Sequence, residues 1–242
     1  PRIQLSPPQV VVDSVFFAET ATVRLELDYP GVELRYTLDG SPVNSQSPVY
    51  QEPLRLSQSA TVTAQAFHPD FEDSPEVRLS VRSLKHNKQI AISSAVPTPA
   101  PQYTGAGLPA LTDRQKGALH FAATPKAWLG WATDTLRFQL QVPKPAGGIQ
   151  LVLSLLDNAG AWIMPPAAVK VYDEGEEIGR FETVQPKPGG PTQYRFLEVP
   201  LKPWRSKALE VVVLARQLPP WHDGAGRPAW IFLDELFLTQ KP

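Results

Sequence analysis

The sequence predicts an all-β protein built as two β-sandwich domains. Three observations carry that expectation. Apolar and polar residues alternate in short runs, turn-forming residues stand between the runs, and no run has a sustained helical period. With 27 prolines and 15 glycines in 242 residues, helices are interrupted and loops between strands are favoured. The length allows one large domain or two smaller ones, each with its own core.

The first alternating run is Ala21, Val23, Leu25 and Leu27, set against Thr22, Arg24 and Glu26. Val32, Leu34, Tyr36 and Leu38 come next, then Ala60, Val62, Ala64 and Ala66, then Val77, Leu79 and Val81. Successive side chains on a strand face opposite ways, so each run has one core face and one wet face. Tyr29-Pro30-Gly31 and Asp39-Gly40 supply breaks that tolerate positive φ. Residues 1–83 therefore read as a small antiparallel sandwich of the immunoglobulin or fibronectin kind.

Residues 84–107 are rich in Pro, Ser, Ala and Gly and read as an extended linker, with Ile90 and Ile92 as candidates for the first strand of the second domain. From 108 to 242 the alternation resumes. It runs through Leu136–Val142, Ile149–Leu155 after a Gly147-Gly148 turn, Val169 and Val171, Ile178 and Phe181, Tyr194 and Phe196, and Leu209–Val213. About eight strands at this spacing predict a jelly-roll sandwich. A short helical turn, capped near Thr112, is expected over Thr112–Gly117.

Composition excludes several functions. Lys plus Arg number 23 and Asp plus Glu 24, a balance unlike the basic stripe of a nucleic-acid binder or a polybasic membrane contact. The absence of cysteine rules out thiol nucleophiles, thiolate metal sites and disulfides, and leaves the compartment open. No apolar run reaches the roughly 18 residues that span a bilayer. A start at Pro1, without Met or a signal-like segment, reads as a processed product or an excised fragment.

Motif chemistry is sparse. His68, His86, His120 and His222 show no metal-ligand spacing, and no nucleophile elbow, phosphate loop or dinucleotide fingerprint is present. The adjacent acids Asp234 and Glu235 lie inside the strand-like run WIFLDELFL. Neighbours on a strand face opposite ways, so the two carboxylates are not expected to flank one bond at the about 5–9.5 Å that glycoside hydrolysis needs. No catalytic residue is assigned. Of the six tryptophans, Trp128, Trp131 and Trp230 adjoin strands and are expected in the core. Trp162 and Trp221 lie in loop-like sequence with His222, Arg227 and Arg216 nearby. An indole stacks on the C–H face of a sugar while polar neighbours bond its hydroxyls, so these five residues are the candidate carbohydrate site.

Two resemblances add to this reading. RYTLDGSPVNSQSPVY (residues 35–50) and ATVTAQAF (residues 60–67) resemble the C-terminal domain of bacterial chitobiases and β-hexosaminidases. LTDRQKGALHF, WLGW, AWIMPPAAVKVY and PPWHDGAGRPAWIFLDELFL are similar, in order, to blocks of the discoidin-like, galactose-binding-like domain that closes bacterial β-N-acetylhexosaminidases. Together they imply a non-catalytic accessory region of a secreted, periplasmic or cell-surface bacterial glycoside hydrolase. Its partners would be an amino-sugar glycan or the catalytic domain upstream in the same polypeptide. A structural spacer or protein-interaction module is the alternative. The second resemblance also implies a structural Ca²⁺ held by Asp113 and Glu235, set against a capping or ion-pairing role for both with Arg114 or Lys116. Arg114 stands where that family has Gly, so the local loop is expected to differ.

Overall fold

A computed structural model describes residues 3–85, 90–143 and 148–240. The chain divides into two compact units, Pro1–Lys85 and His86–Pro242. His86 of the histidine set and Gly147 of the expected turn lie outside the described residues.

Among its described residues the first unit has seven strands: β1 (Gln9–Val12), β2 (Phe16–Phe17), β3 (Ala21–Glu26), β4 (Glu33–Thr37), β5 (Leu54–Leu56), β6 (Ala60–Phe67) and β7 (Val77–Ser83). They form sheets ordered β1-β3-β5 and β2-β7-β6-β4, with β2 parallel to β7 and the other pairs antiparallel. This is the immunoglobulin-like sandwich that the alternation predicts. Ala21, Val23 and Leu25 face Val62, Ala64 and Val81 across the core, joined by Phe17 and Leu56. Asp13 fastens the crossover from β1 to β2. Its carboxylate accepts the Ser14 and Thr22 N–H groups at 2.8 and 3.0 Å, and the Thr22 bond holds it below the usual carboxylate range. Asp39 is a turn residue: its Oδ1 accepts the Ser41 N–H and hydroxyl, and Gly40 follows at φ +79°.

Among its described residues the second unit has nine strands: β8 (Ala91–Val96), β9 (Leu129–Trp131), β10 (Thr135–Gln141), β11 (Ile149–Asp157), β12 (Ala168–Asp173), β13 (Glu176–Glu182), β14 (Gln193–Pro200), β15 (Ala208–Leu214) and β16 (Ile231–Gln240). All pair antiparallel, in sheets ordered β13-β12-β15-β10-β8 and β14-β11-β16-β9. Leu136, Phe138 and Leu140 of one sheet meet Leu151, Leu153 and Leu155 of the other in the main core.

The structure differs from expectation in two stretches. The stretch expected as a linker over 84–107 is in part a strand of the second sandwich. β8, which includes the candidate Ile92, pairs with β10 from Ala91↔Gln141 to Val96↔Arg137 with a bulge at Ser93, and Ile90 and Ala95 enter the core, because small residues still offer backbone bonds. The helical turn expected over Thr112–Gly117 lies earlier, as a 3₁₀ turn at Leu108–Thr112 with proline in its first turn. There the missing proline N–H costs no bond, and Ala110 and Leu111 enter the core.

Strand β11 is buried on both faces. Its outer face is covered by a second apolar cluster of Trp128, Leu156, Ile163 and Phe232, bordered by Tyr103, Phe121, Tyr194 and Trp230. Opposite it, β16 carries a bulge. Leu155 pairs with Leu233 and Ser154 with Glu235, leaving Asp234 as the extra residue. The parity of the strand shifts there: Ile231 and Leu233 face the main core before it, Leu236 and Leu238 after it.

Candidate functional site

The tryptophan loops are built from backbone bonds. Asn158 caps a 3₁₀ turn at Ala159–Ala161, and Trp162 ends that turn in the left-handed region at φ 64°. The Trp162 carbonyl accepts the Trp230 N–H at 2.8 Å, anchoring the turn to the start of β16. Across from it, Leu218 N–H donates to Arg227 O and Gly226 N–H to Leu218 O, closing the loop 219–226 at its neck. Inside the loop, His222 N–H donates to Pro219 O and Ala225 N–H to His222 O.

His222 joins the two loops. Its Nδ1 accepts the Gly224 N–H at 3.0 Å, and its Nε2 lies 2.8 Å from Ala159 O. A carbonyl only accepts, so the proton sits on Nε2 and both ring nitrogens are engaged. The Trp162 and His222 rings meet edge to face at 5.6 Å, and the Trp221 and His222 rings lie 5.8 Å apart. The Arg227 guanidinium stands 5.6 Å from the Trp162 ring centroid, a cation–π placement.

These positions sort the five predicted sugar-site residues. Trp221, 39 % exposed, and Arg227, also exposed, face solvent on the rim. Trp162, expected to be open, is half-buried, enclosed by His222, Gly224 and Arg227. His222, expected to meet a sugar, has both nitrogens on backbone. Arg216 is corrected outright: at 8 % exposure its guanidinium donates to Thr183 O and Oγ1, Val184 O and Gln185 Oε1. Burial lowers its proton affinity, and it holds the 183–185 segment instead of meeting a ligand. Trp128 and Trp131 are core residues, and Trp230 borders the outer cluster.

The Asp234-Glu235 pair differs from expectation in its geometry. Ser154 lies between the core-facing Leu153 and Leu155, so its partner Glu235 faces outward. Asp234, the bulged residue, faces outward too, so the bulge sets neighbouring carboxylates on one side of the strand. At 0 % and 1 % exposure they remain out of reach of a glycan. The loop 113–118 covers them. Lys116 Nζ lies 2.5 Å from Asp234 Oδ2, which also accepts the Gly117 N–H at 2.8 Å. The ammonium stands over the rings of Tyr194 and Trp128, at 3.8 and 4.7 Å. Glu235 Oε2 accepts the Arg114 N–H at 2.8 Å. Burial drives all three side chains toward neutrality: Lys116 downward, Asp234 upward, Glu235 up to about 8. Sequence spacing gives no signal for Lys116 and Asp234, which are far apart in the chain and meet through the bulge.

The residues present do not fit a calcium ion. Ca²⁺ takes six to eight oxygens, and among the described residues no three acidic or histidine side chains gather as ligands. The Asp113 and Glu235 oxygens each receive a backbone N–H, from Gln115 and Arg114, and Lys116 supplies positive charge near Glu235. The capping role weighed against the metal describes both acids. Arg114 keeps the left-handed conformation at φ 65° where glycine would be at ease, at a cost of about 1–2 kcal/mol.

Fold and site together define a two-sandwich β protein with a tryptophan-bearing rim on its second unit. Residues 13–78 match the family model of the chitobiase/β-hexosaminidase C-terminal domain, which spans most of the first unit. No curated protein sequence matches the chain. Among solved structures, a SusE-like protein is similar at 11 % identity and a TM-score of 0.38, covering 96 % of each chain. A carbohydrate-binding module of the β-sandwich superfamily is similar at 11 % and 0.28, over 97 % of this chain and 99 % of that one. The second N-terminal cellulose-binding domain of Cellulomonas fimi β-1,4-glucanase C is similar at 12 % and 0.29, over 65 % and 92 %. At these TM-scores the likenesses say nothing of this chain's ligand. Among the described residues no helix is long and apolar enough to cross a membrane.

Proposed function

We propose that the chain is a non-catalytic accessory region of a glycan-processing protein, holding a sugar at the rim of its second sandwich. The observation that carries this reading is Trp221, an exposed indole on a loop fixed by its own backbone bonds, beside the exposed Arg227. A ring presented on a pre-ordered loop stacks on a pyranose with little further loss of conformational freedom. The family match of residues 13–78 supports the hexosaminidase connection. With it go an amino-sugar glycan as ligand, a discoidin-like second domain, and a secreted, periplasmic or cell-surface location in a bacterium.

Calorimetric titration of the chain with N-acetylglucosamine oligomers tests the reading. Heat at millimolar ligand, lost in Trp221→Ala with the fold intact, is expected. No heat from the folded parent rejects it. One observation favours a second reading, a spacer or docking module: three of the five predicted site residues, Trp162, His222 and Arg216, are enclosed or bonded within the protein, which leaves Arg227 as the exposed donor. A parent that binds no glycan but retains a protein partner through the Trp221 face would establish that alternative.

A further inference from the structure

The most unusual chemistry in the described residues is the Lys116–Asp234 pair. Two opposite charges removed from water are costly unless every polar atom is bonded, and the carboxyl group here is not. Lys116 is 9 % exposed at its side chain and Asp234 fully buried, among Trp128, Tyr194 and Phe196. Both described bonds fall on Oδ2, and Oδ1 is buried without a hydrogen-bond partner. The Ser154 hydroxyl is near the carboxyl but outside hydrogen-bonding geometry.

The surroundings fix the contact. A β-carbon on Gly117 would fall 2.2 Å from Trp128 Nε1, so the loop rests directly on the indole. Trp128 Nε1 in turn donates to Ala118 O at 3.0 Å. From the other side, the bulge aims Asp234 at the loop, a use to which bulges are often put beside reactive groups.

We propose that Lys116 and Asp234 condense into an amide that joins the loop 113–118 covalently to β16. The Nζ lone pair attacks Cγ of the carboxyl group and a C–N bond forms. One carboxyl oxygen then leaves with two protons as water, and Nζ keeps one hydrogen as an amide. An ammonium and a carboxylate thus become an amide and a water, with no oxidant, activating group or other co-reactant. The Gly117 N–H on Oδ2 stabilises the negative charge that collects there in the tetrahedral intermediate, so Oδ1 is the oxygen that departs. Contact at hydrogen-bond distance replaces the encounter that makes such condensations slow in water. A low-dielectric pocket favours the neutral product over the ion pair. The neutral forms that burial favours for both groups are the reacting forms.

Intact-mass spectrometry of the purified chain is the test. The expected mass is below the sequence mass by one water, with tryptic digestion giving a branched peptide that joins the Lys116 segment to the C-terminal one. Lys116→Arg keeps the cation and cannot form the amide, so it should show its full sequence mass. A folded parent at full mass overturns the proposal. So does a water loss that persists in Lys116→Arg, because it would then arise elsewhere.

Discussion

Gly224 and Trp162 are in edge contact: a β-carbon on Gly224 would lie 3.0 Å from two carbons of the indole and 2.7 Å from Leu218 Cδ1. The backbone of the rim loop is thus pressed against the ring that supports it. The contact explains why Trp162 is enclosed, and why the loop that carries Trp221 is held in one place.

Gly224→Ala should therefore strain the rim. Overpacking of this size costs about 1–3 kcal/mol. All six tryptophans lie in the second unit, so intrinsic fluorescence follows that unit's unfolding. A denaturant midpoint equal to the parent's would show that the loop gives way freely.

Arg216→Ala is expected to weaken the second unit by about 1–3 kcal/mol, since it removes the guanidinium that ties four acceptors of the 183–185 segment to the sandwich. Glycan affinity should be unchanged in protein that is still folded. Loss of binding at full stability would return Arg216 to the ligand site.

Calcium should not alter the melting temperature. A ligand bound by the folded state alone raises it in proportion to the logarithm of its concentration. Scans with millimolar calcium and with chelator should coincide, and a rise of several degrees with the metal would show that Asp113 and Glu235 reorganise around it.

Glu235 gives the second unit a pH dependence. Burial chiefly, with repulsion from Asp113 and Asp234, raises its proton affinity from 4.5 to about 8, against the Arg114 N–H that favours the anion. The folded state then binds the proton more tightly than the unfolded chain. Its contribution to stability is complete below pH 4.5, declines as pH rises between 4.5 and about 8, and is absent above. Glu235→Gln should flatten this decline and outlast the parent in alkaline buffer. Parallel pH profiles for the two proteins would show that Glu235 titrates normally.

The long alternating strands were legible in the sequence because one face of each is apolar, as in Ala21–Leu25 or Leu136–Leu140. Strands β1, β2 and β5 were not: QVVV lacks alternation, and two or three residues are too few to show a period. β8 could be read only from Ile90 and Ile92, because its other residues are mostly small and contribute backbone bonds. At the rim, Trp221 and Arg227 could be read as loop residues from their Gly and Pro neighbours. The engagement of His222 Nε2 and of Arg216 could not, because their partners, Ala159 and Thr183–Gln185, are remote in sequence. The two outward acids defeated the alternation rule itself, since a bulge leaves no mark in a run as apolar as WIFLDELFL.

That bulge gives Asp234 an unusual independence from its own strand. Remove the residue in thought, and Leu233 and Glu235 become neighbours opposite Leu155 and Ser154, with Leu236 and Leu238 still facing inward. The sheet would close as an uninterrupted ladder and its core would be untouched. A chain shortened by this one residue is therefore expected to keep its sandwich while the loop over it loses the anchor at Lys116 and Gly117. Asp234 is a residue that the ladder does not require, and its carboxylate serves the loop instead.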